Sequence, residues 1–174
     1  MTEIVYLKGD ASAPFAAGPK FIVHVCNDLG GWGRGFVVAL SKRWGNPETA
    51  YRSWARVGSS PLLWPADHGT EGITVKFGLG NIQIVQCERR EDIHVVNMIA
   101  QHGIQGGSNG PPIRYDALEL CLGKAAEQAS HFYASVHMPR IGCGLAGGKW
   151  ERVEPLIKNS LCARDIPVTV YDLE

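Results

Sequence analysis

Residues 21–44 read FIVHVCNDLGGWGRGFVVALSKRW. An apolar, β-branched run ends at Cys26, Asn27 and Asp28 follow, and Gly30, Gly31, Trp32, Gly33, Arg34 and Gly35 pass straight into a helical pattern at Phe36. The run is almost continuously apolar, as expected of a central strand buried on both faces. Glycines in the turn permit positive φ and let a ligand approach the main chain with no Cβ in the way. Successive free N–H groups beside a helix N-terminus form a concave anion site. The order strand, loop, helix sets that site at the carboxyl edge of a sheet, where open α/β folds bind ligands.

A second segment repeats the order. Residues 136–148 read VHMPRIGCGLAGG, a short apolar strand running into Ile141, Gly142, Cys143, Gly144 and Leu145 before a helical pattern that opens at Trp150. Each glycine run taken alone is equally well a tight strand-to-helix turn. Two of them, each after a buried strand, suit a pyrophosphate held between facing loops. Neither loop matches the dinucleotide fingerprint, and no Gly-Lys-Ser/Thr follows, so a nicotinamide dehydrogenase and a P-loop triphosphatase are disfavoured.

Outward from these loops, further strands are expected at 4–7, 82–87, 94–98, 135–139 and 168–171, and helices at 35–43, 114–129 and 150–164. The charged stretch 88–92 (ERRED) reads as the exposed connection of a hairpin between 82–87 and 94–98. Elsewhere strands and helices alternate. That implies an α/β fold with three layers, helices on both sides of a mixed, largely parallel central sheet. Two segments, 57–72 and 103–112, read as irregular, and the second is long and Gly/Pro-rich enough to suggest a functional loop. Residues 1–174 read as a single domain.

Seventeen basic and seventeen acidic residues give zero formal net charge. That weakens a nucleic-acid reading, which normally shows a basic excess. No run approaches the roughly 18 apolar residues of a membrane span, and the first residues show no basic-then-apolar export pattern. Cys26, Cys87, Cys121, Cys143 and Cys162 form no C-x-x-C pair. They read as reduced thiols packed as small hydrophobes in a cytoplasmic, monomeric protein, with no metal and no cofactor implied.

The chain resembles the macrodomain family over nearly its whole length. The stretches that carry the resemblance are LKGDA at 7–11, VHVCND at 23–28, GGWGRGF at 30–36, MPRIGCGLAGGKWE at 138–151 and VTVYD at 168–172. Within that family it is most similar to the branch containing the terminal ADP-ribose protein glycohydrolase and the deacylases of O-acyl-ADP-ribose. The resemblance implies ADP-ribose, free or on a protein, as ligand. Asp10, next to Ala11, would accept from the adenine amino group, and Tyr171 would lie against the adenine face. Gly30, Gly31, Trp32, Gly33, Arg34, Gly35 and Phe36 on one side, and Ile141, Gly142, Cys143, Gly144 and Leu145 on the other, would hold the two phosphates. Asn27 would bond the distal ribose, with Trp32 covering that ribose or flanking the pyrophosphate. Each role has a plain rival: a turn residue at Asp10, core packing at Tyr171, a loop cap at Asn27.

The same resemblance divides binding from catalysis. The glycohydrolase of that branch uses a lysine after the middle strand and an aspartate after the second loop's leucine. Here residues 97–102 read NMIAQH and Ala146 follows Leu145, so neither group is present. Ester hydrolysis needs only an activated water and donors for developing charge. The pyrophosphate itself or Asp28 would orient that water; Asp28, beside Asn27, is the expected general base, its rival role being an Asx-type cap. Gln101, His102 and the 103–112 loop are expected to close over the distal ribose. A hydrolase acting on ADP-ribosyl esters is favoured over a non-catalytic ADP-ribose reader, because a domain standing alone makes a poor adaptor.

Overall fold

Two strands with no solvent-facing side organise the molecule. Residues Lys20–Asn27 (KFIVHVCN) and Ile93–Gln101 (IHVVNMIAQ) are buried almost throughout, and they pair in parallel at the centre of the sheet. Because side chains alternate across a strand, each strand feeds two cores. Phe21 and Val23 join Val96, Met98 and Ala100 on one face. Ile22 and Cys26 join Ile93, Val95 and Ile99 on the other.

The computed structural model describes residues 1–66, 72–106 and 110–173. In chain order the elements are β1 (Ile4–Lys8), β2 (Lys20–Asn27), α1 (Phe36–Arg43), α2 (Asn46–Val57), β3 (Ser59–Pro61), β4 (Leu63–Trp64), β5 (Thr74–Lys76), β6 (Ile82–Gln86), β7 (Ile93–Gln101), α3 (Tyr115–Phe132), β8 (Ser135–Met138), α4 (Trp150–Ser160) and β9 (Val168–Asp172). A seven-stranded sheet runs in the order β1-β9-β8-β2-β7-β6-β4. From β1 through β7 every neighbour is parallel; β6 is antiparallel to β7, with β4 parallel to β6 beyond it. The sheet is therefore mixed and largely parallel, and the 88–92 connection does join an antiparallel pair.

The α3 helix covers one face with Leu118, Cys121, Leu122, Ala125 and Ala129 at spacings of three and four, all buried, and α4 adds Val153 and Ile157. Leu118 and Leu122 each contribute about 2 kcal/mol by leaving water. The expected helix at 150–164 ends earlier, at Ser160, and continues as a short 3₁₀ turn at Cys162–Arg164.

The second face is covered by α1 and by a helix the sequence reading omitted. In α2, Ala50, Tyr51 and Trp54 are buried on one side while Glu48, Arg52 and Arg56 keep the other polar. The stripe is narrow, which hides its period among charges. Its punctuation was readable all the same: Pro47 in the first turn and Gly58 at the C-cap with φ 90°, each favoured there by backbone geometry. The expected irregular segment 57–72 is also more ordered than read, since β3 and β4 lie in it; residues 67–71 lie outside the described residues, as do 107–109 of the 103–112 loop. Among the described residues no helix is long and apolar enough to cross a membrane.

Candidate functional site

The five parallel strands β1, β9, β8, β2 and β7 end on the same edge of the sheet. A cleft of about 1020 Å³ runs along that edge, and each strand sends its following segment into the wall. In strand order these are Gly9, Asp10 and Ala11 after β1; Tyr171 and Leu173 at β9; residues 139–142 and 144–146 after β8; Asn27 and residues 31–37 after β2; and Gln101 and Ile104 after β7. At roughly 4.8 Å per strand, the edge is about 19 Å long. That length suits an elongated ligand.

The middle of the cleft is lined by main chain. After β2, Gly35 takes φ 79° and caps α1 with no side-chain hydrogen bond, so the first turn of the helix stays open. Among the described residues, the N–H groups of Gly33, Arg34, Gly35, Phe36 and Val37 have no acceptor. After β8, the N–H groups of Gly142, Gly144, Leu145 and Ala146 likewise have none. Gly148 N–H donates to Gly142 O at 2.7 Å and Gly147 N–H to Gly144 O at 3.0 Å, which curls the loop on itself. Two facing sets of unpaired donors, one backed by a helix dipole, can bind two adjacent phosphates.

The β2 loop is braced from two sides. Asn27 Nδ2–H donates to Gly31 O at 2.8 Å, its Oδ1 accepts from Leu29 N–H and Gly31 N–H at 2.9 and 3.0 Å, and its main-chain carbonyl accepts the Tyr51 hydroxyl proton at 2.6 Å. The Asn27 oxygen is therefore fully used, and one Nδ2 hydrogen remains for a ligand. From α2, Arg52 donates to Gly30 O at 3.2 Å and Trp32 O at 3.0 Å, and its Nε to Glu48 at 2.8 Å. Trp32 reaches the wall, yet the residue is only 7% exposed. It packs against the His24 and Tyr51 rings with Nε1–H donated to Ser41, so it supports the loop from behind.

At the β1–β9 end, Asp10 Oδ1 accepts from Ser12 N–H and Oγ–H at 2.8 and 2.7 Å, and Oδ2 meets Arg43 at 3.4 Å. Burial works against its charge, but Ser12 and Arg43 outweigh it and hold the carboxyl below its usual range. The Tyr171 hydroxyl accepts from Phe15 N–H at 3.3 Å and shares a hydrogen bond with His137 Nδ1 at 2.8 Å; the other ring nitrogen is hydrogen-bonded to Ser135 Oγ at 2.8 Å. His24 Nε2–H donates to Asn97 Oδ1 at 2.6 Å. Burial pushes both histidines down to about 4, for His137 with help from the Lys20 charge. They are neutral, satisfied core residues.

Most sequence-picked residues therefore meet in one cleft: Asp10, Ala11, Asn27, Gly31, Trp32, Gly33, Arg34, Gly35, Phe36, Ile141, Gly142, Gly144, Leu145 and Tyr171. Gly30, Asp28 and Cys143 belong to the same loops but lie outside the lining. Asp28 turns toward the β7 loop, where its oxygens take His102 Nδ1–H at 2.7 Å and Gly103 N–H at 2.8 Å. Arg52, Ile104 and Arg140 line the cleft without having been picked. Arg140 lay inside the quoted MPRIG stretch; its bidentate pair with Asp172, at 2.7 and 3.0 Å, joins β8 to β9.

A solved macrodomain protein from Streptomyces coelicolor is 51% identical to this chain, with a TM-score of 0.78 over 98% of this chain and 99% of that one. The chain belongs to the macrodomain family. Mouse chromodomain-helicase-DNA-binding protein 1-like is 31% identical over 176 residues, 98% of this chain. The chain spans 18% of that relative's length and 16% of its zebrafish counterpart's. A more distant macrodomain likeness, Thermosipho africanus DarTG in complex with ADP-ribose, shares the fold at 15% identity, with a TM-score of 0.63 over 90% of this chain and 38% of that one. No family model matches the chain. The glycine loops quoted above thus lie at the mouth of a macrodomain cleft, on the strands that the family's sheet supplies.

Proposed function

We propose that this macrodomain binds ADP-ribose, and that it hydrolyses the ester joining ADP-ribose to an acidic side chain of a protein, or to an acyl group. The observation that carries the binding reading is the pair of unpaired N–H sets, at 33–37 and at 142 and 144–146, facing across one elongated cleft. The DarTG relative solved with ADP-ribose supports the same ligand. In this reading Asp10 Oδ2 receives the adenine amino group, Tyr171 flanks the ring, the two loops hold the pyrophosphate, and the spare Asn27 Nδ2 hydrogen meets the distal ribose. Asp28 contributes to catalysis from the β7 side. The reading treats residues 1–174 as one macrodomain that works as a monomer in the cytoplasm, without metal or cofactor.

One observation favours the second reading, an ADP-ribose reader without catalysis: both Asp28 oxygens are already engaged by His102 and Gly103. Calorimetric titration with ADP-ribose, ADP and AMP tests the ligand. Binding should weaken in that order as the distal ribose and then the second phosphate are removed; equal affinity for all three would sink the pyrophosphate assignment. Release of ADP-ribose from a glutamate-linked substrate then separates the two classes. A rate no faster than spontaneous ester loss, with ADP-ribose binding intact, would leave the reader.

A further inference from the structure

Gln101 and Ile104 line the β7 end of the cleft, and the residues between them hold chemistry that binding does not use. His102 Nδ1–H donates to Asp28 Oδ2 at 2.7 Å, and Gly103 N–H donates to Asp28 Oδ1 at 2.8 Å. The carboxylate is fixed from two directions and sheltered, its side chain 16% exposed, while the imidazole is 62% exposed. Burial works against the Asp28 charge, but the Gly103 amide and His102 outweigh it and keep the carboxyl below its usual range. With the proton held on Nδ1, the lone pair lies on Nε2, which has no hydrogen-bond partner among the described residues. A carboxylate that selects the tautomer and aims the ring leaves the far nitrogen ready to take a proton.

We propose that His102, oriented by Asp28, is the general base that activates water for ester hydrolysis at the distal ribose. This rests on the ADP-ribose reading of the cleft. Strand order supplies the placement: with adenine at the β1–β9 end, beside Asp10 and Tyr171, the distal ribose falls at the β2–β7 end, beside Asn27, Gln101 and Ile104. A side chain esterified there leads out to solvent, so the base must stand at the mouth. An exposed imidazole next to the lining meets that need; His24, which lines the cleft, does not, because its ring is buried and bonded to Asn97.

The step balances within this chain, the ester and one water. Nε2 takes a proton as the water oxygen adds to the ester carbonyl carbon. The adduct collapses with cleavage of the bond from that carbon to the ribose oxygen, and the imidazolium returns its proton to the ribose oxygen. The products are a free carboxylic acid and ADP-ribose. Asp28 touches no reacting atom and is a positioning residue. The charged groups around His102 are Asp28, from the end of β2, and Arg114, which donates to the Pro112 carbonyl that receives His102 N–H.

The test compares the full chain with His102→Gln and Asp28→Asn, using a peptide that carries glutamate-linked mono-ADP-ribose. Readouts are kcat and KM from pH 5 to 9, and ADP-ribose affinity by calorimetry. Wild-type kcat should rise with pH through a single inflection. His102→Gln should lower kcat about 100-fold or more, abolish the inflection and leave ADP-ribose affinity within about 3-fold. Asp28→Asn should lower kcat about 10-fold and move the inflection to lower pH, a shift that loosening of the loop alone would not produce. His102→Gln with unchanged kcat and an intact inflection would overturn the assignment. So would a wild type that binds ADP-ribose but turns over no ester, and that result would leave the binding reading standing. Absence of ADP-ribose binding would remove both.

Discussion

Asn27 and Gly31 hold each other through two hydrogen bonds: Asn27 Nδ2–H donates to Gly31 O at 2.8 Å, and Gly31 N–H donates to Asn27 Oδ1 at 3.0 Å. The side-chain amide acts as a second backbone strand for one residue of the loop. It ties the end of β2 to the start of the glycine run, so the run leaves the sheet at a set angle.

That reciprocity makes Asn27→Asp informative. The substitution keeps an acceptor for the Gly31 and Leu29 donors but replaces the Nδ2 donor with an oxygen facing Gly31 O. One hydrogen bond becomes a repulsion, which costs about 1–3 kcal/mol at a half-buried site. ADP-ribose affinity should fall at least about 10-fold by calorimetry, while far-UV circular dichroism stays that of the wild type. Unchanged affinity would show that the loop keeps its shape without this tie.

Gly33 and Gly144 lie on opposite loops, and a Cβ built on either meets no protein atom within 4 Å. Both line the cleft, so what a side chain would displace there is ligand. Gly144 also has no left-handed φ to preserve. Gly144→Glu should therefore fold normally, with a melting temperature within about 2 °C of wild type, yet lose ADP-ribose binding by about 100-fold, since it adds bulk and a negative charge where an anion belongs. Calorimetry and thermal melting together check this; retained binding would place the pyrophosphate elsewhere.

The strand-loop-helix units were legible because each is local: the apolar run, the glycines and the helical period of residues 21–44 follow one another without a gap. What escaped is non-local or weakly periodic. The buried side of α2 is only Pro47, Ala50, Tyr51 and Trp54, a stripe too narrow to stand out, and with the helix went Arg52, which reaches back 20 and 22 residues to Trp32 and Gly30. The Asp28–His102 contact spans 74 residues. It depends on β2 and β7 being neighbours in the sheet, which hydrophobic period alone does not specify. The paired loops were found because two like signals pointed to one edge; the groups beside that edge needed the topology.

Acidification should destabilise the fold through two buried histidines. His24 and His137 are pushed down to about 4 by burial, in His137 also by Lys20, whereas in the unfolded chain they titrate at about 6.5. Between those values the unfolded chain takes up protons that the folded one refuses, so stability is fully present above about pH 6.5 and is lost as pH falls toward 4. The loss is at most about 3 kcal/mol for each ring. Urea unfolding at pH 7.5, 6, 5 and 4.5 should show the decline, and the ring protons of both residues should not titrate above pH 5 in NMR spectra. Titration of either near pH 6.5 would show that its ring is hydrated in the native state.

Arg52, at the cleft wall, sets the direction of the loop donors. In a trans peptide the carbonyl and the following N–H point opposite ways. Holding Trp32 O toward α2 at 3.0 Å therefore turns Gly33 N–H toward the cleft that Gly33 lines, and the contact to Gly30 O steadies the preceding turn. The guanidinium spans both carbonyls while its Nε stays on Glu48, a fork that an ammonium does not reproduce. Arg52→Lys and Arg52→Ala should thus weaken ADP-ribose binding alike, by about 10-fold, corresponding to about 1.4 kcal/mol. Because Arg52 carries a charge at the wall, salt dependence distinguishes positioning from direct attraction. If the residue only aims the donors, the affinity ratio of wild type to Arg52→Ala stays constant between 50 and 500 mM NaCl, whereas a ratio that falls with salt, or rescue by lysine, would mean that charge, not the held carbonyls, is what the ligand meets.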